Sequence, residues 1–240
     1  MRSERIALVV LALAPASCLL NWDSLRDQDG GFDASGDDVA TDNFVNDVVG
    51  DDVSDAGNDA PPCTLQLSIN EVQADGVQGP SDEFVELRNG ATCGGTLQNW
   101  TLRYSSAGGS SPSQLWIGQV GDSIGPAGPN GYVILGGMAF QAPDGGNLIG
   151  RISTDLNGSL SKSGGGVGLF SPSLALVDGV AYETLTTQTH PFIRPADAGS
   201  AGGAPNPPSG KSIARTPDGH DTGTNATDFQ IATPTPGFSN

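Results

Sequence analysis

The chain has 240 residues and a formal net charge of −17, from 27 Asp and Glu against 10 Lys and Arg. Nucleic-acid binding needs a basic patch, so this charge argues against a nucleic-acid-binding protein. The chain also contains 35 Gly and 17 Pro and only 6% aromatic residues, which disfavours helices and suits short strands joined by turns. The chain has only two His and three Cys, so few side chains could form a metal site or act as nucleophiles, and we expect no cofactor.

Residues 1–17 have the layout of a secretory signal peptide. Arg2 and Arg5 precede an uninterrupted apolar run at 6–14, and small residues follow it. About nine apolar residues are too few to span a bilayer as a helix, which needs roughly twenty. We therefore expect export of the chain and removal of this segment.

A cysteine lies directly after the small residues. Cys18 follows Pro15, Ala16 and Ser17, and this pattern resembles the lipobox of bacterial lipoproteins, although Pro15 stands where Leu is usual. The resemblance implies acylation of Cys18 by lipid such as palmitate, and anchoring in a membrane of the cell envelope, inner or outer. The alternative is cleavage after residues 14–16, which would leave a soluble secreted form with a spare thiol at Cys18.

Residues 18–62 differ in composition from the rest of the chain. They contain twelve Asp, a single basic residue, Arg26, and few apolar residues, which follow no sustained period. Such a segment cannot bury enough apolar surface to offset the entropy lost on ordering, so we predict a disordered acidic tether. Calcium binding stays open, but the segment has no Glu and therefore lacks an EF-hand loop.

Residues 63–240 are predicted to form one folded domain, with 14 acidic and 7 basic residues and a net charge of −7. Alternation of apolar and polar residues is clear around 84–88, where Phe84 and Glu86 alternate with Val85 and Leu87, and it predicts one face in a core and one in water. Gly and Pro clusters separate such runs. The predicted strands lie at 65–72, 83–89, 97–104, 114–120, 132–135, 147–152, 167–170, 174–182 and 212–215. The pattern predicts an all-β antiparallel sandwich or barrel.

An ordered set of motifs runs through these strands. They are S-I-N-E-V at 68–72, D-E-F-V-E-L-R-N at 82–89, L-Q-N-W-T-L at 97–102, G-Y-V-I-L at 131–135, G-V-G-L-F at 166–170, V-D-G-V-A-Y at 177–182, G-K-S-I-A-R at 210–215 and T-P-G at 235–237. In this order they resemble a lamin-tail domain, with Phe84 where Trp is common and Asn99 where Gly is usual. The resemblance implies an immunoglobulin-like antiparallel β-sandwich. Such domains usually serve bacterial envelope proteins as interaction or accessory modules.

Two cysteines lie within the predicted domain. Cys63 precedes the first predicted strand and Cys93 follows the second. In an exported chain such a pair favours a disulfide, and free thiols or a metal site are the alternatives.

The sequence contains few groups that could perform catalysis, and we predict no catalytic or metal-binding residue. His190 and His220 lie in stretches rich in Pro and Gly, which indicates exposed loops, and no G-x-S-x-G motif is present.

Two acidic residues could lie on neighbouring strands, namely Glu71 and Glu86. We interpret them as structural carboxylates that cap turns or pair with Arg88 and Arg215, rather than as a catalytic acid and base.

Long loops on a rigid sandwich commonly carry recognition. The longest predicted loop, 184–209, contains His190, Phe192 and Arg194 as candidate contact groups. The leading hypothesis is a non-enzymatic envelope lipoprotein that displays its sandwich to a protein or glycan. The alternatives are an envelope hydrolase or hydrolase-accessory protein, and a purely structural surface spacer. The sequence specifies neither the partner nor the oligomeric state.

Overall fold

The computed structural model of the chain describes residues 63–109, 111–152, 159–182, 190–192 and 203–240. The predicted signal peptide (1–17), Cys18, the tether (18–62) and Arg194 lie outside these residues. The described residues form twelve strands and one short helix. They are β1 (Leu67–Gln73), β2 (Phe84–Asn89), β3 (Gly95–Thr96), β4 (Thr101–Ser106), β5 (Ser113–Ile117), β6 (Ser123–Ile124), β7 (Tyr132–Gly136), β8 (Leu148–Arg151), β9 (Gly165–Phe170), β10 (Leu176–Tyr182), β11 (Ser212–Arg215), α1 (Asn225–Asp228) and β12 (Phe229–Ala232).

The strands form two main sheets and one small one. The six-stranded sheet has the order β12-β11-β1-β2-β7-β8, the four-stranded sheet has the order β10-β9-β4-β5, and β3 pairs with β6. The prediction of an all-β fold with antiparallel sheets is confirmed, except that β7 and β8 are parallel. Residues 137–147 connect these two strands and return the chain to the end of the sheet where β7 began, as a parallel pair requires.

The two main sheets pack face to face around one apolar core. Ile69, Val85 and Leu87 of the six-stranded sheet are fully buried in it, together with Leu102 and Leu169 of the four-stranded sheet. The period of two along each strand brings these residues to one face. Burial of each such side chain contributes about 1.5–3 kcal/mol, so this core is the main source of stability.

The predicted strands agree with the observed ones to within a few residues. The largest shift is at 97–104, where β4 begins only at Thr101. Asn99 has φ = 64°, and the Trp100 N–H donates to the Leu97 carbonyl in a turn, so the chain is not extended before Thr101. The short strands β3 and β6, the strand β12 and the helix α1 were not predicted.

The prediction that one face of β2 lies in water is wrong. Phe84 and Glu86 are 0% exposed, as are Val85 and Leu87 on the other face. Phe84 packs on the outer face in a second, small apolar cluster with Ile134 and Phe140. The outer face is therefore covered, by segments distant in sequence.

A buried arginine links the two sheets at one corner of the sandwich. The Arg215 guanidinium donates to both carboxylate oxygens of Asp178 on β10, at 3.0 Å each, and to Asp228 at 3.3 Å. Its Nε donates to the Ile69 carbonyl at 2.8 Å, and its guanidinium carbon lies 4.5 Å from the centre of the Phe229 ring. Arg215 therefore pairs with aspartates and not with Glu71 or Glu86 as we had expected.

The predicted disulfide between Cys63 and Cys93 is present, with Cα atoms 6.3 Å apart and a sequence separation of 30. It joins the segment before β1 to the loop after β2. In the chain-entropy model, closure of a loop of this length stabilises the fold by about 3–4 kcal/mol.

Candidate functional site

The outer face of the six-stranded sheet carries two carboxyl groups at its centre. Glu71 of β1 and Glu86 of β2 are direct partners in the antiparallel register, which confirms that they lie on neighbouring strands. Both side chains are fully buried. Side chains that are direct cross-strand partners have Cβ atoms about 4.5–5.5 Å apart, so two negative charges at these positions repel each other.

A β-bulge at Asn70 changes the direction of the β1 side chains. Ile69 pairs with Leu87 and faces the core, whereas Glu71 pairs with Glu86 on the outer face, and Asn70 is the extra residue between them. Such a bulge re-aims the side chains that follow it. It therefore brings Glu71 opposite Glu86.

Residues 233–240, here called the C-terminal strap, lie against this outer face. The Thr235 N–H donates to both carboxyl oxygens of Glu71 at 3.2 Å. The Gly237 N–H donates to Glu86 Oε2 at 2.6 Å. Two buried carboxyl groups thus satisfy main-chain donors of the strap.

A third carboxyl group holds the end of the strap. Asp218 accepts hydrogen bonds from the Asn240 N–H at 3.1 Å, from Asn70 Nδ2 at 3.0 Å and from the Tyr132 hydroxyl at 2.9 Å. The Asn70 side chain also donates to Glu86 at 2.9 Å, so it links the two acids.

Burial raises the pKa of both glutamates. The pKa of Glu71 rises from 4.5 to about 7, although hydrogen bonds from Ser212 and Thr235 act to lower it. Burial raises the pKa of Glu86 to about 8, against hydrogen bonds from Asn70 and Gly237 and with a contribution from the negative charge of Glu71. The two groups therefore take up protons near neutral pH.

Asp218 behaves differently from the two glutamates. Burial acts to raise its pKa, but hydrogen bonds from Ser239, Asn70, Asn240 and Tyr132 outweigh burial and lower it. Asp218 therefore keeps its charge at neutral pH, and the strap lies over one fixed charge and two groups that titrate.

A groove of about 650 Å³ runs beside the strap. Its floor contains the rings of Phe84 and Phe140, whose centroids are 5.1 Å apart. Phe238 of the strap and Val77 are exposed at its rim. The residues that line it come from the stretch between the end of β1 and the start of β2, from the β7–β8 connection, from the segment before β11 and from the strap. They are Gln73, Val77, Gln78, Asp82, Phe84, Phe140, Gln141, Pro143, Gly210, Pro234, Thr235, Pro236 and Phe238.

The groove offers apolar surface and amide groups. The described residues that line it include three glutamines and no Lys or Arg, and Asp82 is their one charged residue. The Asp82 carboxylate accepts the Gln78 N–H at 3.0 Å, and Gln73 Nε2 donates to the Asp82 carbonyl at 2.7 Å. Apolar walls with a few polar groups suit an uncharged ligand surface, such as a peptide or sugar, rather than an anion.

Two of the predicted contact residues, His190 and Phe192, are buried, at 4% and 1% exposed. Phe192 packs on the outer face of the four-stranded sheet, where Gly168 and Gly179 leave room for its ring. The expectation of an exposed loop is therefore wrong for His190 and right for His220. A contact role for His190, Phe192 and Arg194 stays a prediction.

Hydrogen bonds fix the ring of His190. Its Nδ1 accepts the Phe192 N–H at 3.2 Å, and its Nε2 lies 3.4 Å from the Ser105 carbonyl. Nε2 is therefore the protonated nitrogen of the neutral ring. Burial lowers the pKa of His190, which favours this neutral form.

Sequence reasoning missed the groove, because its residues come from separate parts of the chain. One signal was available in the sequence: Phe84 is a large apolar residue on the face of β2 that the alternation predicts to lie in water. An apolar side chain there indicates a covered face, and the buried Phe84 confirms that this face is covered.

No protein-family model matches the sequence, and no curated protein is significantly similar to it. In the part of the chain that the structure describes, no helix has the length and apolarity needed to cross a membrane. Within the same residues, no group of three or more His, Cys, Asp or Glu side chains is arranged to hold a metal ion.

Proposed function

We propose that this chain is a lipoprotein of a bacterial cell envelope that displays a non-catalytic β-sandwich for contact with a protein or glycan. The layout of residues 1–17 supports export, and the lipobox-like position of Cys18 supports a lipid anchor. The motif order between residues 68 and 237 supports a sandwich of the immunoglobulin-like, lamin-tail type.

The groove beside the strap is the observation that carries the binding role. It has the volume and the mixed apolar and amide lining of a recognition site. Its rim exposes Val77 and Phe238, which a partner could cover. The absence of basic residues among those that line it favours an uncharged or cationic ligand surface.

The position of the paired glutamates supports a non-catalytic role over the hydrolase alternative. Glu71 and Glu86 do not line the groove, and the strap N–H groups occupy their carboxyl oxygens. A catalytic acid must reach its substrate, so we assign these groups to holding the strap.

Photo-crosslinking on intact cells tests the groove as the binding site. A photoreactive residue replaces Val77, which is 87% exposed at the groove, or Val120, which is 84% exposed and does not line it. We expect a reproducible adduct with one protein or glycan from Val77 and none from Val120. Equal capture from both positions, or none from either, would refute the groove as the binding site.

Mass spectrometry of the mature N-terminus tests the anchor. We expect a diacyl- or triacyl-modified Cys18, and loss of membrane association in Cys18→Ser. An unmodified N-terminus at Ser17 or Cys18 would contradict the lipoprotein assignment.

A further inference from the structure

The strap forms one wall of the groove. Four of its residues, Pro234, Thr235, Pro236 and Phe238, are among those that line it. If the strap left the sheet, this wall would leave with it, and the shape of the groove would change. The forces that hold the strap therefore bear on what the groove can bind.

Main-chain hydrogen bonds to acids hold the middle of the strap. Thr235 and Gly237 donate to Glu71 and Glu86, and the strap has no acidic or basic side chain of its own. At its start, Lys211 Nζ donates to Thr233 Oγ1 at 3.0 Å, a bond to a hydroxyl and not to either glutamate.

The paired glutamates are poorly compensated when both are charged. They are direct cross-strand partners, and the nearby Asp218 adds a further negative charge. Arg88, the basic group on β2, interacts with Tyr132. No basic group is among the main influences on the pKa of either glutamate. Departure of the strap would remove the Thr235 and Gly237 hydrogen bonds, which favour the charged forms of the glutamates. It would also expose both carboxylates to water, and this effect is the larger one because burial is the main cause of their raised pKa values.

We propose that residues 233–240 are a proton-controlled wall of the groove, which stays on the sheet while Glu71 and Glu86 retain at least one proton and leaves it when both are ionised. The proton passes to solvent. The movement is independent of any ligand, whereas its effect on binding rests on the proposed function. The raised pKa values of the two glutamates place the transition just above neutral pH.

Hydrogen exchange of the mature chain between pH 6.5 and pH 9 tests the movement directly. The readout is the protection factor of the Gly237 amide, which corrects for the pH dependence of the intrinsic exchange rate. The Asn89 amide, also on the six-stranded sheet, donates to the Gly131 carbonyl at 2.8 Å and serves as the internal control. We expect the protection of Gly237 to fall about tenfold or more, because each pKa unit corresponds to a tenfold change in the linked equilibrium, and that of Asn89 to stay constant.

The matched variant is Glu86→Gln, which retains a hydrogen-bonding side chain but cannot ionise. We expect the protection of Gly237 to lose most of its pH dependence in this variant, and in Glu71→Gln if Glu86→Gln does not fold. Constant protection of Gly237 in the wild-type chain, which requires no variant, would overturn the proposal. An equal fall in Glu86→Gln would overturn it as well.

Photo-crosslinking from Val77 at pH 6.5 and pH 8.5 then tests the effect on binding. We expect at least a threefold change in adduct yield in the wild-type chain and none in Glu86→Gln. A Gly237 amide that loses protection while the yield stays constant would refute control of binding by the strap. Capture of nothing from Val77 would instead count against the proposed function, because the exchange result needs no ligand.

Discussion

At β1 and β2 both faces of the six-stranded sheet are buried, but they are held by different forces. On the inner face, Ile69, Val85 and Leu87 pack against the four-stranded sheet, and the hydrophobic effect that holds them does not depend on pH. On the outer face, Glu71 and Glu86 hold the strap through hydrogen bonds, and their charge depends on pH. The same strands therefore combine a permanent interface with one that protons can weaken.

The largest effect is expected from breaking the ion cluster between the sheets. Arg215→Met leaves Asp178 and Asp228 buried without their cation, which should cost about 3–5 kcal/mol of unfolding free energy. Chemical denaturation measures this cost. Lys211→Met removes an exposed basic group from the same stretch of chain and should cost less than about 1 kcal/mol. A loss below about 1 kcal/mol for Arg215→Met would show that the cluster does not lock the sheets.

A cavity on the inner face should have the next largest effect. Leu87→Ala removes a fully buried side chain and should cost about 2–5 kcal/mol, and this cost should be the same at pH 6.5 and at pH 8.5. Ile231→Ala, at a side chain that is 51% exposed, should change stability by no more than about 0.5 kcal/mol. Denaturant titrations at the two pH values check both, and a cost that varies with pH would contradict the contrast between the faces.

The outer face should make stability fall as pH rises. Because the pKa values of Glu71 and Glu86 are raised on folding, their contribution is complete below the unfolded value of 4.5 and is lost as pH rises through about 7 and 8. Between pH 6.5 and pH 8.5 the loss should be on the order of 2 kcal/mol. In the variant with both Glu71→Gln and Glu86→Gln, denaturation should give a flat profile over this range.

The buried histidine should act in the opposite direction and at lower pH. Its pKa is lowered on folding, so its contribution is complete above the unfolded value of 6.5 and is lost as pH falls below that value. Stability measurements above pH 6.5 therefore report the contribution of the glutamates without that of His190. If the unfolding free energy of the wild-type chain rose between pH 6.5 and pH 8.5, the predicted effect of the glutamates would be contradicted.

The smallest effect is expected from a methyl group on the strap. Gly237 has φ = 90°, and an added Cβ would lie 2.9 Å from the Gly146 Cα. Gly121 has a similar φ of 99° but open space around it, so Gly121→Ala reproduces the backbone strain without the contact. Gly237→Ala should cost about 1 kcal/mol more than its control, and the strap should become the first site of proteolysis. Equal costs would show that the strap is not packed tightly on the sheet.

Local sequence pattern was enough to predict most of the strands. The alternation in β2 and the Gly and Pro clusters depend on neighbouring residues, and the conformation of a strand is decided at that range. The disulfide was also predictable, because two cysteines in a domain that is expected to be exported favour a disulfide.

The candidate site was not predictable in the same way. Glu71 accepts a hydrogen bond from Thr235, 164 residues away in sequence, and Glu86 accepts one from Gly237, 151 residues away. The groove combines four separate parts of the chain. Alternation assigns residues to two faces but does not say whether a third element covers the outer one.

The sequence by itself determined the all-β class, most of the strands, and which face of β2 meets the core, since these follow from short-range periodicity and from the burial of apolar residues. The tertiary structure alone decided that the outer face is buried as well, through contacts over more than 150 residues. That burial raises the pKa values of Glu71 and Glu86, because desolvation depends on everything packed around a carboxyl group and not on its neighbours in sequence.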